Sequence, residues 1–171
     1  MSKAIAPCSL PQQLFLTLRD GVPKEVSGSK YATSEGEEVD IVFYGGQAGG
    51  GKSAAALIHH LKYAHIENYK GIVIRRTTPM LTKPGAIWDE AKSMYKDYDP
   101  LARIRNKDMK ISLGPVKDPE KKAEVSFTHF ERVDDTDNFQ GLTRPLCVVI
   151  HIEKLSKRGT SLIRQSRAKG I

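Results

Sequence analysis

The sequence predicts an α/β fold: a mainly parallel sheet with flanking helices, incomplete at its C-terminal end. Three observations carry this. Two β-branched runs, "VDIVFYGG" (39–46) and "GIVIRRT" (71–77), bracket a segment with helical apolar spacing. A third run, "LCVVIHIE" (146–153), is continuously apolar, as a strand buried on both faces requires. The order strand, helix, strand, helix, strand is that of right-handed crossover units.

The elements follow in order. "PQQLFLTLR" (11–19) reads as a short helix opening at Pro11, and 20–38 is rich in Gly, Ser and Glu and reads as loop. From Lys52 to about Asn68, Ala54, Leu57, Ile58 and Leu61 share a helical face. After Pro84, Ile87, Ala91, Met94 and Tyr98 recur at helical spacing, with Trp88 and Tyr95 beside them as expected core. "MKISL" (109–113) and "AEVSFTHF" (123–130) alternate like half-exposed strands about the polar loop "GPVKDPEKK". The expected divisions are an N-terminal segment 1–38, a core 39–157 and a basic tail 158–171.

The 171 residues suit one domain, with 39% hydrophobic and 27% charged residues. No apolar run approaches the roughly 18 residues of a membrane span, and the N-terminus lacks a signal peptide's apolar core. Two distant cysteines, Cys8 and Cys147, make a reduced, intracellular setting the default. The net charge of +7 is uneven. Six of the 27 basic residues and none of the 20 acidic ones lie in 154–171, which leaves +1 on residues 1–153. Such a tail fits either a polyanion such as nucleic acid or a solvated terminus.

"YGGQAGGGKSAAA" (44–56) holds the most specific chemistry. Gly46 to Ser53 has the spacing of a P-loop, Gly-x-x-x-x-Gly-Lys-Ser. Glycines let successive N–H groups turn inward on a phosphate, and the following helix adds its positive end. The expected nucleotide contacts are Gly46, Gln47, Ala48, Gly49, Gly50, Gly51, Lys52 and Ser53. Lys52 would reach the β- and γ-phosphates of ATP, and the Ser53 hydroxyl would ligate Mg²⁺. Hydrolysis needs an acid at a neighbouring strand end to hold Mg²⁺ through water and, in many ATPases, a glutamate beside it. The candidate strand ends "HIEKL", where only Glu153 is acidic and Lys154 follows. Binding chemistry is complete by this reading, and hydrolysis is one carboxylate short.

Several stretches together resemble the N-terminal ATPase domain of a tailed-phage terminase large subunit, the DNA-packaging motor. "QQLFL" is similar to that family's adenine-side glutamine motif and implies a role for Gln13. "FYGGQAGGGKSAAAL" is like its phosphate loop. "GIVIRRTTPMLTKPGAIWDEA" resembles its strand, arginine pair and Pro-Gly helix. "AEVSFTHFERVDDTDNFQG" and "PLCVVIHIEKLSK" resemble the segments around its acidic motif. The likeness runs in order from about Leu10 to Lys157. It implies ATP and Mg²⁺ as cofactors, Glu153 and Lys52 as catalytic, and Ser53 and Glu153 on the metal. It also implies double-stranded DNA, a terminase small subunit and a portal or prohead as partners, a homo-oligomeric ring, and the cytoplasm of a host cell.

The chain departs from that family in three respects. The acidic motif ordinarily ends in two acids. Here Lys154 stands for the catalytic glutamate, or, in the other register, Ile152 for the metal acid. The loop has Gln47 and Ala48 where many members carry an arginine. Family members continue through a nuclease domain, which is not expected within these residues, and a truncated or frameshifted gene would produce such an ending. Two alternatives stay open: a nucleotide-binding remnant or accessory module without turnover, and another P-loop enzyme such as a helicase-like ATPase. Arg75 and Arg76 read equally as ligands of nucleotide or DNA and as surface charge. His59, His60, His65, His129 and His151 lack zinc spacing, with His151 expected in the core, and Asp134, Asp135 and Asp137 read as a solvated loop.

Overall fold

The computed structural model describes residues 5–17, 51–129 and 146–149. The chain divides into two compact units, Ile5–His59 and a second made of Met1–Ala4 with His60–Ile171. It is a mixed α/β structure with an open sheet.

The first unit contains α1 (Leu10–Thr17) and most of α2 (Lys52–Leu61). The expected strand 39–46 lies outside the described residues. Helix α1 buries Gln12 and Leu16, four residues apart on one face. Helix α2 buries Ala55, Ala56 and Leu57. It ends at Leu61, earlier than the expected Asn68. There Tyr63 and Ala64 donate to the carbonyls three residues back, which tightens the last turn. Asn68 then takes a left-handed conformation, φ 58°, and its N–H donates to the Lys121 carbonyl at 2.8 Å.

The second unit is built on five strands: β1 (Lys70–Arg75), β2 (Arg103–Arg105), β3 (Lys110–Leu113), β4 (Ala123–His129) and β5 (Leu146–Val149). Their order in the sheet is β2-β3-β4-β1-β5. Strand β1 pairs in parallel with both β4 and β5, whereas β2–β3 and β3–β4 are antiparallel. The expected mainly parallel sheet is therefore corrected to a mixed one. The reason is connection length. Only a turn joins β2 to β3, and residues 114–122 join β3 to β4, too few for a crossover. The path from β1 to β4 carries α3 (Thr78–Thr82), α4 (Ile87–Tyr98) and the β2–β3 hairpin, which allows parallel pairing. Strand β5 pairs with β1 alone among the described residues.

Strand β4 is buried from Ala123 to Phe127, not half-exposed as its alternation suggested. It lies between β3 and β1, so both its edges are paired, and the polar residues Glu124 and Ser126 are buried along with the apolar ones. Helix α4 buries Ile87, Trp88, Ala91 and Tyr95. Its buried face is rotated from the expected one, for Tyr98 is exposed and Trp88 sits edge-on to Phe127 with ring centroids 5.1 Å apart. The core reading of Trp88 and Tyr95 is thereby borne out. Asp89 and Glu90 in its first turn and Lys96 in its last complement the helix dipole. No helix of the described residues is long and apolar enough to cross a membrane.

Candidate nucleotide-binding site

The described part of the loop is its end: Gly51, Lys52 and Ser53. Gly51 has φ +69°, a conformation that costs other residues about 1 kcal/mol or more. This left-handed residue turns the chain into α2. Its carbonyl accepts the Ala55 N–H at 2.9 Å, which makes it the residue before the first helical turn. Lys52 and Ser53 are the first two residues of α2, and that turn holds no acidic residue to oppose an anion. A helix start with a lysine and a hydroxyl suits phosphate by dipole, charge and donor geometry.

Gly51 is held from outside the loop. The Gln12 side chain, 1% exposed, donates through Nε2 to the Gly51 carbonyl at 2.9 Å. Its Oε1 accepts from the Cys8 N–H at 2.8 Å and from Cys8 Sγ at 3.1 Å. The amide thus ties the chain before α1 to the start of α2 within one unit. A Cβ on Gly51 would run into the Gln12 amide nitrogen, so glycine is required there by contact as well as by φ. Phe15 continues the contact of the two helices, its ring centroid 5.3 Å from that of His59.

The glutamine that reaches the loop is Gln12. Gln13, expected at the adenine edge of the nucleotide, is exposed on α1. Its N–H donates to the Ser9 carbonyl at 3.1 Å, and its carbonyl accepts the Thr17 hydroxyl. The pair "QQ" is ambiguous by sequence. The signal that separates them is the helical face: Gln12 lies four residues before Leu16, the buried apolar position of α1.

Gly46, Gln47, Ala48, Gly49 and Gly50 lie outside the described residues, as do Glu153, Lys154, Asp134, Asp135, Asp137, His151 and the tail. Of the two expected Mg²⁺ donors, only Ser53 is described. A neutral hydroxyl beside a lysine fits a site where the nucleotide's own phosphate oxygens complete the metal's shell.

In the second unit, polar groups gather at the carboxyl ends of β1 and β4. Arg75 is half-buried and Arg76 exposed. Burial lowers the Arg75 pKa while the Glu90 carboxylate pulls it back up. Glu90 mirrors this, raised by burial and partly restored by Arg75. The Thr78 hydroxyl lies 3.2 Å from His129 Nδ1. Arg75 and His129 are register partners across β1 and β4. His60 belongs to the core, with Nδ1 2.8 Å from the Tyr69 hydroxyl, and Gly71 leaves room for its ring.

No protein-family model matches the chain, and no curated protein or solved structure matches it.

Proposed function

We propose that this chain is the ATP-binding part of a DNA-packaging ATPase of the terminase large-subunit kind. In such a motor, ATP hydrolysis drives double-stranded DNA into a viral prohead. The observation that carries the proposal is the left-handed Gly51 that opens α2, with Lys52 and Ser53 in the first turn and Gln12 bracing the same carbonyl. Lys52 neutralises the β- and γ-phosphates, Ser53 supplies a hydroxyl to Mg²⁺, and the loop N–H groups from Gly46 onward wrap the phosphates. Glu153 would hold Mg²⁺ through water. The partners that follow are duplex DNA, a small subunit, a portal and further copies of the chain, in the cytoplasm of a phage-bearing host.

Turnover is weak or absent in this reading. The "HIEKL" sequence supplies one carboxylate where two are needed, and a charged lysine accepts no proton. Loss of a general base typically removes a factor of about 10²–10⁴. The test is titration calorimetry with Mg²⁺-ATP, followed by phosphate release from the same preparations. Lys52→Ala abolishes binding if the loop is the site. Wild-type release stays near that of Lys52→Ala, and Lys154→Glu raises it. Equal ATP affinity in wild type and Lys52→Ala would remove the loop assignment. Brisk, Lys52-dependent release by wild type would leave the loop standing and remove the claim of weak turnover.

A further inference from the structure

The described sheet gathers positive charge on one face. Strand pairing puts Lys70 opposite Glu124, Glu124 opposite Ser112, Ser112 opposite Arg103, and Lys110 opposite both Ser126 and Arg105. Paired residues share a face, so Lys70, Glu124, Lys110, Arg105 and Arg103 all stand on the same one. Glu124 is the single acid among them. Its Oε1 lies 3.8 Å from Lys70 Nζ and 3.5 Å from Lys110 Nζ, and its Oε2 pairs with Arg105 Nη2.

One carboxylate neutralises one cation, so this face keeps a surplus. The carboxylate is sunk to 10% exposure, while Lys70, Lys110 and Arg105 keep 36%, 34% and 37% of their side chains in solvent, and Arg103 is exposed. Glu124 thus holds the cations from below and leaves their outer faces to another anion. Beside it the Ser126 hydroxyl is buried and has no hydrogen-bond partner among the described residues. At a spacing of about 4.8 Å per strand, the row from β1 to β2 extends roughly 14 Å. A line of that length suits a repeated charge, not a single phosphate. Duplex nucleic acid presents one charge per about 1.7 Å of axis.

We propose that this face of β1, β3 and β2 binds the phosphate backbone of double-stranded nucleic acid, with Glu124 as an internal counter-anion that fixes the cations and moderates the affinity. The interaction is independent of sequence and sensitive to salt. It does not rest on nucleotide binding by the Gly51 loop, since the affinity is read without ATP.

The experiment is fluorescence anisotropy of the full chain with a short duplex of arbitrary sequence, across a salt series. Arg103→Gln with Lys110→Gln weakens binding and lowers the slope of log K against log salt by about 0.9 for each cation lost. Glu124→Gln, which adds one net positive charge, binds several-fold tighter at low salt. Arg164→Gln with Arg167→Gln in the tail is the charge-matched control and changes the slope less than the sheet pair. Circular dichroism establishes that each variant is folded. Should Glu124→Gln fail to fold, the sheet pair and the tail pair decide. An unchanged slope in the sheet pair, or an equal loss in the tail pair, would overturn the proposal. So would binding of poly-glutamate by a chain that leaves the duplex free.

Discussion

Glu124 illustrates how a single residue departs from what its type suggests. A carboxylate on a central strand costs several kcal/mol of desolvation unless it is paired. Burial by itself would raise its pKa, but Lys70, Lys110 and Arg105 together outweigh it and hold the group below the ordinary 4.5. The sign of the pH effect follows. A carboxyl whose folded pKa is depressed stabilises the fold in its ionised form, fully above the unfolded value, and the gain is lost as pH falls through the folded one. Urea melts of wild type and Glu124→Gln are expected to differ near neutrality and to converge as pH drops below 4.5. A gap that persists in acid would assign the effect to packing. Asp99 obeys the same logic at the end of α4. Burial opposes its charge, but the N–H groups of Gly114 and Leu101 and the Lys122 ammonium keep its pKa low. Gly114, at φ +109°, is required at that junction, because a Cβ would overlap the Ala64 carbonyl.

At the scale of elements, α1 is a brace. It has eight residues, too few to be stable alone in water, so its order derives from the contacts it makes. The Gln12 bridge to Gly51 is a partly buried polar contact among them. Gln12→Ala leaves the Gly51 carbonyl with its helical bond only and the Cys8 N–H without its acceptor, at a cost of about 1–3 kcal/mol. The expected result is faster amide exchange in residues 5–17 and weaker ATP binding, with the sheet's exchange unchanged. Gln13→Ala, at an exposed position, is expected to do neither. If both variants lowered ATP affinity equally, Gln12 would not be the bracing residue. At the other end of the described sheet, β2 is only three residues long and reads Arg-Ile-Arg. A short, charged strand of this kind resists pairing with another chain.

For the whole molecule, the sheet's middle sets the pattern of stability. Strands β1 and β4 share six register pairs, and Val73, Ile74, Val125 and Phe127 are almost wholly buried. Covered from both neighbours, these amides are opened only by the largest unfolding events. Hydrogen exchange followed by mass spectrometry is expected to show the slowest exchange in 71–75 and 123–128 and markedly faster exchange in 103–105. Equal protection across these strands would mean that the sheet opens as one unit.

Much of this architecture was legible in the sequence because it depends on local periodicity. Apolar residues at helical spacing marked α2 and α4, a β-branched run marked β1, alternation marked β3 and β4, and glycine before Lys-Ser marked the helix start at Gly51. These signals survive without knowledge of neighbours, since each reflects how one segment meets a core. Strand direction, the burial of Glu124 and the choice of Gln12 over Gln13 were decided by tertiary structure. Each depends on residues distant in sequence: β4 becomes central only when β1 pairs beside it, Glu124 is tolerated only where Lys70 and Arg105 meet it, and Gln12 matters only because Gly51 lies 39 positions away. A sequence records which groups are present and how they repeat; it was the folded chain that brought one carboxylate among three cations.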